Sequence, residues 1–212
     1  MPLLAQCESS NAGWSPTLRG TANGSYAPVY VVVGGTSGIG QGIAEALARH
    51  TTNNARIVLV GRNKSAAQQF IAGFPPSIAG EFAECDLRRV ISVKRLCASL
   101  CARFPRIHML VMTAGALTTT AEETPEGLEA SMCISYYARW AFVDGLLPSL
   151  HAAQAAGQDA RVFMSLNAGL GRNLDVGDLG MKRYLMNGGM SISGLMQAAG
   201  MLATYTDLMI MR

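Results

Sequence analysis

Residues 31–40 read VVVGGTSGIG. A β-branched apolar run meets three glycines, Gly34, Gly38 and Gly40, spaced G-x-x-x-G-x-G. The run from Val29 to Val33 suits a strand buried on both faces. Beyond the glycines, Ile39, Ile43 and Leu47 recur every four residues, the stripe of a helix. Glycine lets the intervening turn take positive φ and lets an anion approach the backbone. The helix behind it aims unsatisfied N–H groups and a partial positive charge at that anion. Strand, glycine turn and helix in this order predict a phosphate-bearing ligand.

Working outward, residues 57–60, 81–85, 107–112 and 161–165 read as four more strands. Residues 65–71 form a short helix that Pro75 and Pro76 terminate. Val93, Cys97, Leu100 and Phe104 mark a second helix. A third carries Leu128, Met132, Tyr136, Trp140 and Val143 on one face. Thr124 is its expected N-cap, with Pro125 in the first turn, and Pro148 its expected end. Strands alternating with helices predict an α/β fold with a doubly wound parallel sheet. Its ligand crevice lies at the carboxyl ends of the strands, beside the switch point where the glycines fall. Residues 1–27 read as an irregular N-terminal arm and 28–212 as one domain. Residues 181–212 hold seven methionines; a helix is expected from Ile192, and no sixth strand is evident.

Half of the 212 residues are apolar and the net charge is +3. Lys64, Lys94 and Lys182 are the only lysines and no basic run exists, which argues against nucleic acid as a partner. No apolar segment suits a membrane span, and the N-terminus lacks the pattern of a signal peptide. Five cysteines without a C-x-x-C pair read as buried thiols in a reducing compartment, the cytoplasm. No metal site is expected.

VGGTSGIG, with the strand before it and the helix after it, resembles the T-G-x-x-x-G-I-G loop of short-chain dehydrogenases/reductases, and Val33 stands where that family usually has Thr. The resemblance implies a Rossmann-like fold and a nicotinamide cofactor. It also implies contacts from Gly34, Thr36, Ser37, Gly38, Ile39 and Gly40. The second strand ends VLVGRN, with Arg62 where NAD-preferring members carry an acid. A guanidinium there pairs with a 2′-phosphate, so Arg62, with Asn63 beside it, points to NADP(H). CDL (85–87) resembles the element whose acid meets the adenine, which assigns Asp86 and Leu87. MTAG (112–115) resembles N-N-A-G, keeping Ala114 and Gly115 and putting Thr113 in place of an Asn. The series is similar, more narrowly, to NADP-binding reductase-like proteins of fungal secondary-metabolite clusters, which share the S-N-A element found here at 10–12.

The family's chemistry uses a Tyr as proton donor, a Lys four residues later, a Ser and an Asn. ATYTDLMIM (203–211) resembles the Y-x-x-x-K segment, giving Tyr205 the tyrosine's place and Met209 the lysine's. Tyr184 has Gly188 four residues on and offers no lysine either. Without a cation the phenol keeps a pKa of about 10, so forming phenolate at pH 7 costs roughly 4 kcal/mol. RVFMSLNAG (161–169) resembles the serine-bearing strand end. Anchored on Ala168-Gly169, it puts Leu166 at the serine's place and Ser165 one residue before, pointing to the other face. In ISYYARW (134–140), Ser135 replaces the Asn. The candidate catalytic set is therefore Tyr205, Ser165 and Ser135, with Arg172, Lys182 and Arg183 as cations that could reach the phenol.

Two readings stay open. One is an NADP(H)-dependent oxidoreductase acting on a carbonyl or alcohol of a small, secondary-metabolite-like molecule. The other is a catalytically impaired NADP(H)-binding protein or a truncated gene product, since the sixth and seventh strands that the resemblance implies are not found. A small-molecule substrate and a second copy of the chain, recruited to an open sheet edge, are the expected partners.

Overall fold

The computed structural model describes residues 3–12, 27–51, 54–115, 122–167, 169–183 and 192–210. Five strands, β1 (Val29–Val33), β2 (Ala55–Gly61), β3 (Ile78–Glu84), β4 (Met109–Met112) and β5 (Arg161–Met164), form one sheet in the order β3-β2-β1-β4-β5. All four pairings are parallel. The order reverses direction between β1 and β4, which opens the crevice at the carboxyl ends of these two strands.

Helices cover both faces. On one, α2 (Gly38–His50) and α3 (Lys64–Ile71) meet the even-numbered residues of β1, and Tyr30 and Val32 pack there with Ala44, Leu47 and Ala67. On the other, α4 (Val90–Arg103) and α6 (Ala138–Ala155) pack on Val29, Val31 and Val33, with Val93, Leu100, Phe142 and Leu146 between them. All five side chains of β1 are buried, as a central parallel strand requires. Cys97 and Cys101 lie at the α4–α6 contact, their thiols directed at the carbonyls of Ala141 and Gly145. Burial pushes Cys85 up to about 11 and Cys97 and Cys133 up to about 12, so these three thiols are packing groups rather than nucleophiles.

β2 and β3 start two and three residues earlier than expected and β4 two residues later, and three helical features also differ from the sequence expectation. The arm contains a helix, α1 (Leu4–Ala12), whose last turn holds the S-N-A element. Thr124 does not open a helix. Its hydroxyl accepts from the Leu128 N–H in a turn closed by Gly127 at φ 76°. The helix starts at α5 (Ala130–Met132), where the Glu129 carboxylate accepts the Met132 N–H at 2.8 Å. It then runs through a π-helical turn, Cys133–Tyr137, into α6. Pro148 does not end α6, which continues to Ala155 because Leu146, Ser149, Leu150 and Ala153 are buried along that face. The last helix, α7 (Ile192–Ile210), begins at Ile192 as expected. No described helix is long and apolar enough to cross a membrane.

Candidate cofactor site and the cavity beside it

The glycine turn is built around close backbone approach. Gly34 takes φ 86° and its N–H donates to the Val60 carbonyl at 2.9 Å, tying the turn to β2. A Cβ at Gly40 would sit 2.8 Å from the Gly34 carbonyl carbon, and nearer still to its oxygen and to the Thr113 hydroxyl. Glycine there lets α2 close against the ends of β1 and β4. Gly38, at φ 55°, is the opposite case, since a Cβ there would meet no atom within 4 Å. It faces open space. Ser37 caps α2 with extended backbone and makes no side-chain cap bond, so the N–H groups of the first turn have no side chain bonded across them.

The crevice over this turn has a volume of about 360 Å³. Gly34, Thr36, Ser37, Gly38, Ile39 and Gly40 form one side, and Thr113, Ala114 and Gly115 another. Arg62, Asp86 and Leu87 stand at its β2–β3 end. The Thr113 hydroxyl donates to the Val33 carbonyl at 3.2 Å, bridging β1 and β4 where the family pattern has an amide. Asn63 is the exception among the expected contacts. It is not part of the lining, and its side chain accepts the Ala66 N–H at 3.0 Å as the cap of α3.

Asp86 has a partner that the sequence did not announce. Arg88 forks onto both of its carboxylate oxygens, at 3.0 Å to Oδ2 through Nη2, and its backbone N–H bonds Oδ1. Burial pushes Asp86 up, yet the Arg88 hydrogen bonds and the charges of Arg88 and Arg62 hold it below the usual carboxylate range. The arrangement fits a phosphate-bearing dinucleotide: helix N–H groups, a glycine with space above it, and a guanidinium and carboxylate at one end.

A second cavity of about 330 Å³ shares Ile39, Thr113 and Gly115 with the crevice. Ser135, Ser165, Leu166 and Asn167 line it, and Thr206 faces them from α7. The structure thus brings Ser135 and Ser165 together. Ser135 is in the π-turn, an irregularity often found at functional sites. The cavity also holds Arg139, which sequence reasoning missed. Arg139 is 7% exposed and donates to the Ala114 carbonyl at 3.0 Å and the Ser165 carbonyl at 3.1 Å. The signal was a charge on the apolar stripe Met132, Tyr136, Arg139, Val143. Burial pulls its pKa down, though a guanidinium remains protonated throughout the accessible pH range.

Tyr205 is not brought into this cavity. Its hydroxyl donates to the Leu179 carbonyl at 2.9 Å and its ring packs 5.4 Å from that of Tyr136, among Met132, Met181 and Met201. Burial, then the neighbouring Tyr137, Tyr136, Asp178 and Asp175, push its pKa up, away from what proton transfer near neutral pH requires. Met209 is buried. Lys182 pairs with Glu123 at 3.0 Å and Arg183 with Asp175 at 3.3 Å, and the Arg172 backbone N–H donates to the Thr204 hydroxyl. The Lys182 and Arg183 charges are thus engaged by carboxylates, and the Tyr205 hydroxyl by Leu179. Tyr184, Gly188 and Ala168 lie outside the described residues.

Known proteins share this organisation. The chain is 32% identical over 158 residues to the oxidoreductase andH of Emericella variicolor, covering 73% of this chain and 46% of that one. It is 30% identical over 186 residues to the oxidoreductase AN1596 of Emericella nidulans, covering 86% and 52%. The chain thus spans about half the length of these curated relatives. Among solved structures, a short-chain dehydrogenase from Streptomyces avermitilis superposes with a TM-score of 0.61 at 20% identity, over 87% of this chain and 58% of that one. The Pseudomonas aeruginosa RhlG/NADP complex does so with 0.57 at 24%, over 82% and 64%; both likenesses concern the fold. The sequence pattern of the short chain dehydrogenase family matches residues 28–172, from the first strand through the serine-bearing strand end, and the chain belongs to that family.

Proposed function

We propose that this chain binds NADP(H) in the crevice over α2 and that hydride transfer to a carbonyl by the chain itself is impaired. The observation that carries the binding is the crevice: open space above Gly38 at the start of α2, with Arg62 at one end. The N–H groups of α2 would hold the pyrophosphate. Arg62 would pair with the 2′-phosphate, which NADP(H) carries and NAD(H) lacks. Thr113, Ala114 and Gly115 would orient the nicotinamide half toward the second cavity. When bound, NADPH supplies a hydride. Ser135 and Ser165 can donate hydrogen bonds to a substrate oxygen in that cavity, while the Tyr205 hydroxyl is engaged with Leu179.

A second reading is a competent oxidoreductase for a small carbonyl or alcohol, of the secondary-metabolite type that the sequence resemblance implies. The cavity beside the crevice and the relatives called oxidoreductases favour it. The cytoplasm suits the four described cysteines, all free.

Calorimetric titration of NADPH and NADH, with the parent and Arg62→Asp, tests the binding. NADPH should bind about tenfold tighter than NADH or better, as a charge-assisted contact allows, and Arg62→Asp should abolish that margin. Equal affinities in the parent would remove the NADP(H) assignment, and no binding of either would remove the cofactor reading. NADPH oxidation against a panel of ketones decides the rest: rapid turnover establishes the second reading, slow or absent turnover the first.

A further inference from the structure

Arg139 is a buried cation with no counter-ion among the described residues. Among the described residues no carboxylate lies within ion-pair distance of it. Two of its nitrogens meet the carbonyls of Ala114 and Ser165, and its Nε is buried with no acceptor. Carbonyl oxygens offset part of the lost hydration and leave the positive charge uncancelled. That charge stands in the wall of the second cavity, which joins the crevice at Ile39, Thr113 and Gly115. Arg62 and Asp86 mark the other end of the crevice. A dinucleotide with its adenosine half there would extend its nicotinamide half past Gly115 toward Arg139.

We propose that Arg139 makes this site select reduced over oxidised cofactor. The inference rests on the cofactor reading above. The oxidised nicotinamide ring carries a positive charge and the reduced ring carries none, so a buried guanidinium facing that ring repels only the oxidised form. Across a cavity of about 330 Å³ two like charges lie within roughly 10 Å. At the effective dielectric of a protein site that weakens binding about tenfold. The protein would bind the nucleotide when the pool is reduced and release it when the pool is oxidised.

The experiment is calorimetric titration of NADPH and NADP⁺ into the parent, Arg139→Lys, Arg139→Gln and Arg139→Met, with circular dichroism and melting curves to establish folding. The parent should hold NADPH about tenfold tighter than NADP⁺. Arg139→Lys keeps the charge and should keep most of that ratio. Arg139→Gln keeps an amide donor for the two carbonyls and should bring the ratio to within about twofold of one. Should Arg139→Gln fail to fold, Arg139→Met gives the same answer, because it removes the charge without adding a polar group to bury. Equal affinities in the parent overturn the inference and leave cofactor binding standing. A ratio that survives either charge-removing change also overturns it. Binding of neither nucleotide to the parent overturns the cofactor reading and the inference together.

Discussion

A methyl group at position 40 would strike backbone, while one at position 38 would meet nothing within 4 Å. The two glycines therefore serve different ends, and alanine should separate them. Gly40→Ala forces α2 away from the Gly34 carbonyl and Thr113. Overpacking of this kind costs about 2 kcal/mol, so the melting temperature should fall by roughly 4–8 °C. Gly38→Ala incurs only the left-handed backbone penalty of about 1–2 kcal/mol, yet its methyl enters the space above the turn. It should lose more NADPH affinity than Gly40→Ala while melting closer to the parent. A Gly38→Ala variant that binds NADPH like the parent would move the phosphate away from this turn. These glycines were legible in the sequence because their constraint is local. Tyr205 was not. Its role depends on which way α7 is turned, and successive helix residues point about 100° apart. Ala199, Leu202, Ala203 and Thr206 face the cavity, which leaves the Tyr205 ring against Tyr136. Tyr205→Phe should thus act on stability, leaving the Leu179 carbonyl without its donor at a cost of about 1–3 kcal/mol. NADPH affinity and the low rate of ketone reduction should not change, and Met209→Lys alone should not raise that rate. A fall in turnover with Tyr205→Phe in a protein that melts like the parent would return the phenol to the chemistry.

Between elements, β1 and β4 are joined at their starts by a buried imidazole. The His108 Nδ1 accepts the Val29 N–H at 3.1 Å, which assigns the proton to Nε2, and Nε2 then donates to the Gln158 side chain at 3.0 Å. Burial pulls the His108 pKa below its ordinary 6.5; the bond to Gln158 opposes this and the Arg106 charge adds to it. The folded state therefore resists a proton that the unfolded chain accepts. Its contribution to stability is complete above pH 6.5 and is lost as the pH falls from there toward the depressed folded value. The melting temperature should drop between pH 7 and pH 5.5. His108→Asn keeps an acceptor for Val29 and has nothing to titrate, so it should melt lower at pH 7 and show a shallower fall. Equal slopes in the two proteins would place the titrating group elsewhere. Four of the strands were readable because each is a short apolar run set off by turn residues or helix patterns; β3, IAGEFAE, is not, and it starts at Ile78, before the expected Glu81. The start of the third long helix was not readable, because a threonine before a proline has the same chemistry at an N-cap and in a turn. Only the Leu128 N–H reaching back to Thr124 distinguishes them. The Arg88 fork on Asp86 and the Arg139 bonds to Ala114 and Ser165 were equally hidden, since both depend on where side chains land after the elements pack.

At the scale of the whole molecule, the sheet has an unequal pair of edges. At one end β3 pairs with β2 over seven residues, and Arg103 and Arg56 form ion pairs with Glu81. Charges on an edge discourage further pairing. At the other end, among the described residues, β5 pairs only with β4, over four residues, and Val162 and Phe163 are 41% and 47% exposed. Leu208 and Ile210 on α7 add further exposed apolar surface. A strand whose outer N–H and C=O groups have no ladder partner among the described residues, and whose aromatic side chain is exposed, is a template for another strand. The isolated chain should therefore self-associate through β5. Its apparent mass in sedimentation or size-exclusion measurements should rise with concentration over the micromolar range. Phe163→Lys places a charge on the edge without touching the crevice or the second cavity, and should return the chain to a monomer that still binds NADPH. If the parent is a monomer at all concentrations, the β5 edge is covered in solution. If Phe163→Lys associates as strongly as the parent, the contact lies on another surface, and the exposed end of α7 is the next one to charge.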